Sequence, residues 1–186
     1  MNPIFFPLAV VFSFAVFDLP ASALAGPGLT YEFGAPGKPA EVTRSIEVNL
    51  ADNYYEPDAI SVKQGETVRF VLKNNGELLH EFSIDTLAEH AEHRTEMAAM
   101  MEMGMITSTG IDPEKMNMDH SKMDMSGAKA GNGMSMRHDD PNTVMLAPGE
   151  SRALVWKFPK AMEIEFACNM PGHYESGMMG RIDFAK

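Results

Sequence analysis

From Val42 onward, apolar side chains return at every second position in short runs closed by glycine- and proline-bearing turns, and that pattern confines the chain to a β fold. Ile46, Val48 and Leu50 alternate with Ser45, Glu47 and Asn49, as in a strand buried on one face. Ala59 to Val62 runs into the turn Lys63-Gln64-Gly65-Glu66, Thr67 to Lys73 runs into Asn74-Asn75-Gly76, and Leu78 to Ile84 completes a first group. A second group comprises Thr143 to Leu146, the turn Ala147-Pro148-Gly149-Glu150, Ala153 to Phe158, Glu163 to Cys168 and Gly180 to Ala185. About seven or eight short strands with such turns predict an all-β, antiparallel sandwich. A length of 186 residues is enough for one domain with a sizeable core.

Ahead of the strands, an apolar run from Ile4 to Phe17 is followed by small residues ending in Ala23-Leu24-Ala25. This is the layout of a secretory signal peptide over residues 1–25, with a mature chain starting at Gly26. The run is shorter than the roughly 20 residues of a membrane-spanning helix, and Pro7 interrupts it, so export without stable membrane insertion is expected. Exported proteins usually pair their cysteines, yet Cys168 is the single one. It is therefore either an inert core residue or a sulfur held by something other than a second cysteine. A net charge of -11 argues against nucleic acid and anionic membranes as partners and suits cations, metal ions among them.

Strand parity orients the candidate ligands. In Glu163 to Cys168, residues Ile164, Phe166 and Cys168 share one face; in Leu78 to Ile84, His80 lies with Phe82 and Ile84, leaving Glu81 and Ser83 on the outer side. His173 and Met178 follow Cys168 in a loop bent by Pro171-Gly172 and closed by Gly177, so they can turn back toward the sulfur. Taken singly, a buried cysteine or histidine is ordinary core material. Taken together, two imidazoles, one thiolate and a weak axial thioether form the ligand set of a mononuclear blue-copper centre. Thiolate and thioether favour Cu(I), imidazole tolerates Cu(II), and a rigid β scaffold holds one geometry for both.

The stretch C-x4-H-x4-G-M from Cys168 to Met178, together with His80 in HEFSI, resembles the cupredoxin family over about residues 42–186, insertion excluded. The resemblance implies a cupredoxin-like Greek-key β-sandwich with copper as cofactor, bound by His80, Cys168, His173 and Met178. Met179 leaves the axial position open, although Gly177-Met178 matches the family's Gly-Met pair. One cysteine cannot bridge a binuclear copper site, and Cys168 lies between Ala167 and Asn169 rather than between the histidines of a multicopper oxidase. No enzyme activity is expected.

Between the two groups of strands, about residues 86–142, the composition changes. Thr86-Leu87-Ala88-Glu89 reads as a capping box, and the Ala-, Glu- and Met-rich run to Gly104 predicts a helix over Leu87 to Met103. On it His90, His93, Met97, Met100 and Met101 share a face that either binds metal or packs on the sandwich. From Ile106 to Asn142 the chain lacks the apolar content to offset its ordering entropy, so a mobile insertion is expected. Most of the 17 methionines fall in the inserted region, and M-x-M-x-H occurs twice, as Met116, Met118, His120 and as Met134, Met136, His138, with Met123 and Met125 as a shorter copy. The alternatives are an oxidation-sensitive loop without ligand role and, because thioethers with imidazole suit Cu(I), a set of further Cu(I) ligands. Such segments on a cupredoxin resemble the periplasmic copper-tolerance cupredoxins of bacteria, the CopI type among them. That resemblance implies periplasmic sequestration of copper around a redox-active centre. The rivals are a soluble electron carrier with a redox partner and a chaperone delivering copper to a cuproenzyme.

Overall fold

The computed structural model describes residues 31–116 and 140–185. The expected leader at residues 1–25, and Met118, His120, Met123, Met125, Met134, Met136 and His138, lie outside these described residues. Strands β1 (Ala35–Pro36), β2 (Arg44–Ala51), β3 (Tyr54–Glu56), β5 (Thr67–Asn74) and β8 (Ser151–Lys157) form one sheet, in the order β1-β8-β5-β2-β3. The other sheet holds β4 (Ala59–Lys63), β6 (His80–Asp85), β7 (Thr143–Leu146), β9 (Glu165–Ala167) and β10 (Met179–Ala185), in the order β4-β10-β9-β6-β7. The turns read from the sequence close as β-turns: Glu66 N–H donates to Lys63 O at 3.0 Å and Glu150 N–H to Ala147 O at 3.0 Å.

The expected antiparallel pairing holds for most neighbours, but β2 runs parallel to β5 and β4 parallel to β10. The reason lies in the path of the chain. From β2 it passes through β4 of the opposite sheet before returning as β5, so β2 and β5 lie side by side with the same direction. Between the sheets, Phe70 from the first meets Phe82 from the second at a centroid distance of 5.4 Å, and Phe82 stacks on Phe166 at 5.2 Å. All three rings are fully buried, each contributing roughly 1.5–3 kcal/mol of burial. Phe82 is two residues after His80 and Phe166 two before Cys168, so the same packing aligns the strands that carry the candidate ligands.

Helix α1 (Leu87–Glu102) starts as its sequence predicts. Thr86 Oγ1 accepts from Glu89 N–H at 3.3 Å and Glu89 Oε2 accepts from Thr86 N–H at 3.3 Å. It ends before Gly104, which takes φ +67°, a left-handed conformation suited to glycine. Its His90, His93, Met97 and Met100 are buried and Met101 packs against the core, so this face packs on the sandwich. Consequently β6 is covered on both sides, and Glu81 and Ser83, expected outside, are both fully buried. Further along, Met105 and Ile106 are buried, Ile106 bridges Ile111, and a short helix α2 (Pro113–Met116) leaves Met116 half-buried against the core. The region after Ile106 is thus more ordered, as far as residue 116, than its composition implied. Among the described residues no helix is long and apolar enough to cross a membrane.

Candidate metal centre

His80 opens β6 and Cys168 directly follows β9, the strand hydrogen-bonded beside it. His173 sits in the loop from Cys168 to β10, whose turns are closed by His173 N–H to Met170 O at 3.0 Å and Met178 N–H to His173 O at 3.0 Å. Cys168 N–H donates to Met178 O at 3.1 Å, which draws both ends of the loop together. As a result the ligand atoms of His80, Cys168 and His173 all lie within 4.8 Å of one another. Cys168 Sγ is 3.4 Å from His173 Nδ1, and the two imidazole centroids are 5.1 Å apart. Met178 is fully buried, whereas Met179 is 37% exposed. Of the two methionines, Met178 is therefore the one inside.

His80 Nε2 is 2.9 Å from Asp52 Oδ1, and the same carboxylate accepts from the backbone N–H groups of Glu77 (3.1 Å) and Leu78 (3.2 Å). With Nε2 engaged, Nδ1 of His80 is buried without a hydrogen-bond partner. An orphaned buried nitrogen of this kind is costly unless its lone pair is used, and a carboxylate behind a ligating histidine is how metal sites fix tautomer and ring direction. Burial holds His80 below the ordinary histidine pKa, against the opposing effect of Asp52. His173 is likewise held low, by burial and then by the neighbouring His80. Both shifts favour the neutral ring, whose lone pair is available to a metal.

Around the sulfur, Glu81 N–H donates to Cys168 Sγ at 3.3 Å and Met170 N–H provides a second backbone bond. Burial, followed by the nearby Glu81 charge, pushes the thiol up to about 12. Cys168 would provide a thiolate donor by exchanging its proton for a metal ion. These backbone donors to the sulfur are the kind that sequence reasoning expects but cannot name. Asp52 was not foreseen, because nothing in strand periodicity marks a residue 28 positions before its histidine.

The sequence profile of the cupredoxin-like domain matches residues 11–108, a span that includes His80 and stops before Cys168. The chain is 52% identical over 162 residues to the copper-resistant cuproprotein CopI of Pseudomonas aeruginosa, covering 87% of each. The chain belongs to the cupredoxin family. A second CopI relative, from Rubrivivax gelatinosus, is 35% identical over 151 residues, covering 81% of this cupredoxin and 72% of the relative. Among solved structures, auracyanin B superposes with a TM-score of 0.53 at 17% identity, over 82% of this chain and 96% of that one, a likeness of fold. The donors of this cupredoxin fit copper: one thiolate, two neutral imidazoles and an enclosed thioether match a type-1 site, and copper is its cofactor.

Proposed function

We propose that this cupredoxin is an exported, periplasmic copper protein of copper tolerance, which holds one redox-active ion and gathers further Cu(I) on its methionine-rich segment. The observation that carries the reading is the convergence of His80, Cys168 and His173 within 4.8 Å, beside the enclosed Met178. The name of the relatives, copper-resistant cuproprotein, supports the role in tolerance. Export is supported by the leader pattern of residues 1–25, and Cu(I) gathering by thioethers set among polar residues at 116–138.

When bound, copper supplies a reversible one-electron change between Cu(II) and Cu(I). The chain supplies everything else. Cys168 gives up its proton and provides the anionic donor, its negative charge eased by the Glu81 and Met170 N–H groups. His80 is aimed by Asp52, and His173 is held by the turns of its loop. Burial of Cys168 and Met178 keeps water from the sulfur donors. Because the donors sit on paired strands and a tightly turned loop, neither oxidation state demands a large rearrangement. The chain thus serves as a binding and redox protein rather than an enzyme, its partners being copper ions.

Anaerobic titration of the metal-free protein with Cu(I) tests the sequestering role: more than one ion per chain is expected, and a stoichiometry ending at one removes it. An electron carrier would keep its physiological role after Met118, Met123, Met125, Met134 and Met136 are replaced by leucine. A chaperone would lose the activity of its recipient cuproenzyme. A tolerance protein instead loses growth at high copper.

A further inference from the structure

We propose that α1 is an outer clamp on the copper centre, in which His93, His90 and Arg94 fix the residues that directly follow His80, Cys168 and His173. The inference rests on the copper reading of those three residues. The helix belongs to the insertion and contributes none of the four donors, yet one face of it reaches the side chain of the residue that follows each of three. Positions 90, 93 and 94 are spaced i, i+3 and i+4 and so project from the same side of a helix.

His93 Nε2 lies 3.2 Å from Glu81 Oε1. The other carboxylate oxygen of Glu81 accepts from Asn169 N–H at 3.1 Å and Asn169 Nδ2 at 2.7 Å. Asn169 Oδ1 in turn is 3.1 Å from His90 Nδ1. At the outer end of the face, Arg94 places its guanidinium carbon 4.0 Å from the centre of the Tyr174 ring and its Nε 3.4 Å from Glu175 Oε1. Tyr174 Oη also donates to Glu165 Oε1 at 2.6 Å. Glu81, Asn169 and Tyr174 are the sequence neighbours of the three donors, so their placement sets where the donors stand.

Two physical effects reach the metal through this clamp. First, Glu81 presents its backbone N–H to Cys168 Sγ, and that bond draws charge from the sulfur and favours Cu(I); holding the Glu81 side chain holds the N–H. Second, the fully buried Glu81 side chain is tied by its other oxygen to the backbone and side chain of Asn169, so the same hold fixes the position next to Cys168. These are positioning roles, of the kind that outer partners of metal ligands play.

The test compares the full-length protein, loaded with Cu(II), with His93→Leu, Glu81→Gln and Arg94→Ala. Reduction potential, thiolate-to-copper absorption and the copper hyperfine splitting in paramagnetic resonance are the readouts, alongside melting of the metal-free forms. His93→Leu releases one oxygen of Glu81, is expected to loosen the Glu81 N–H on the sulfur and so to disfavour reduction about tenfold, which is 59 mV for one electron. Glu81→Gln keeps an oxygen for Asn169 and a polar group facing His93, and is expected to shift the potential less than His93→Leu does. Should His93→Leu fail to fold, Arg94→Ala on the partly exposed end of the face still reads the clamp through an altered hyperfine splitting, restored by Arg94→Lys with its cation over Tyr174. The proposal is overturned if potential and spectra of the folded variants coincide with those of the unaltered protein while only melting falls, since α1 would then merely pack. If the unaltered protein shows no thiolate-to-copper band at all, the copper reading fails first and the clamp falls with it.

Discussion

Asp52 and Gly76 together decide which nitrogen of His80 faces the centre. A Cβ at Gly76 would stand 2.3 Å from Asp52 Oδ1 and 2.9 Å from His80 Nε2, closer than atoms approach without displacement. Gly76→Ala is therefore expected to push the carboxylate off the imidazole and to weaken copper binding roughly 10–100-fold, the usual effect of losing such a partner; competition against a chelator measures it. Cys168→Ala is expected to abolish the thiolate-to-copper absorption while circular dichroism of the metal-free protein stays that of a folded sandwich. Met178→Leu should alter the absorption and raise the potential, whereas Met179→Leu, at a 37% exposed position, should leave both unchanged. The convergence of Cys168 and His173 was legible in the sequence because one short loop fixes their spacing. Asp52 was not, because its role arises from a contact between strands that no local pattern encodes.

At the scale of single elements, β6 shows where parity reasoning stops. Alternation correctly placed His80, Phe82 and Ile84 toward the core, but it cannot say what covers the opposite side, and α1 covers it. The helix itself was legible from its capping box, while its docking through His90 and His93 was not, because buried polar pairs carry no period. This second face has a pH signature. Burial first, with the Glu89 charge adding to it and a Ser83 hydrogen bond opposing, raises Asp85 to about 7. Burial alone would lower His93, but the Glu81 charge and hydrogen bond and the Asp85 charge outweigh it and raise the group to about 9. Both raised values mean that the folded chain keeps a proton which the unfolded chain has already released. For Asp85 stability is therefore lost as pH rises from about 4 to about 7, and for His93 it is present below about 6.5 and lost as pH rises through about 9. Urea unfolding of the metal-free protein should show a decline of at most roughly 1.4 kcal/mol per pH unit per group, and Asp85→Asn should flatten its acidic part.

Across the whole molecule, the two layers and most strand positions could be read from alternation and turns, while the parallel ladders β2 with β5 and β4 with β10 could not. Ladder direction depends on how the chain crosses between sheets, and side-chain alternation is the same for either direction. The insertion enters after β6 and leaves into β7, which pair antiparallel from His80↔Leu146 to Ser83↔Thr143. It thus extends what would otherwise be a hairpin connection. Replacing residues 117–139 by a short linker is expected to keep the type-1 absorption, to shift melting by only a few degrees and to lower Cu(I) stoichiometry toward one. The entropy of closing a loop grows only logarithmically with its length, about 0.6 kcal/mol for each doubling. A hairpin tip anchored on both sides by a settled ladder can thus lengthen or shorten over generations with little thermodynamic penalty. The number of methionines carried there is free to change, while the framework beneath it stays as it is.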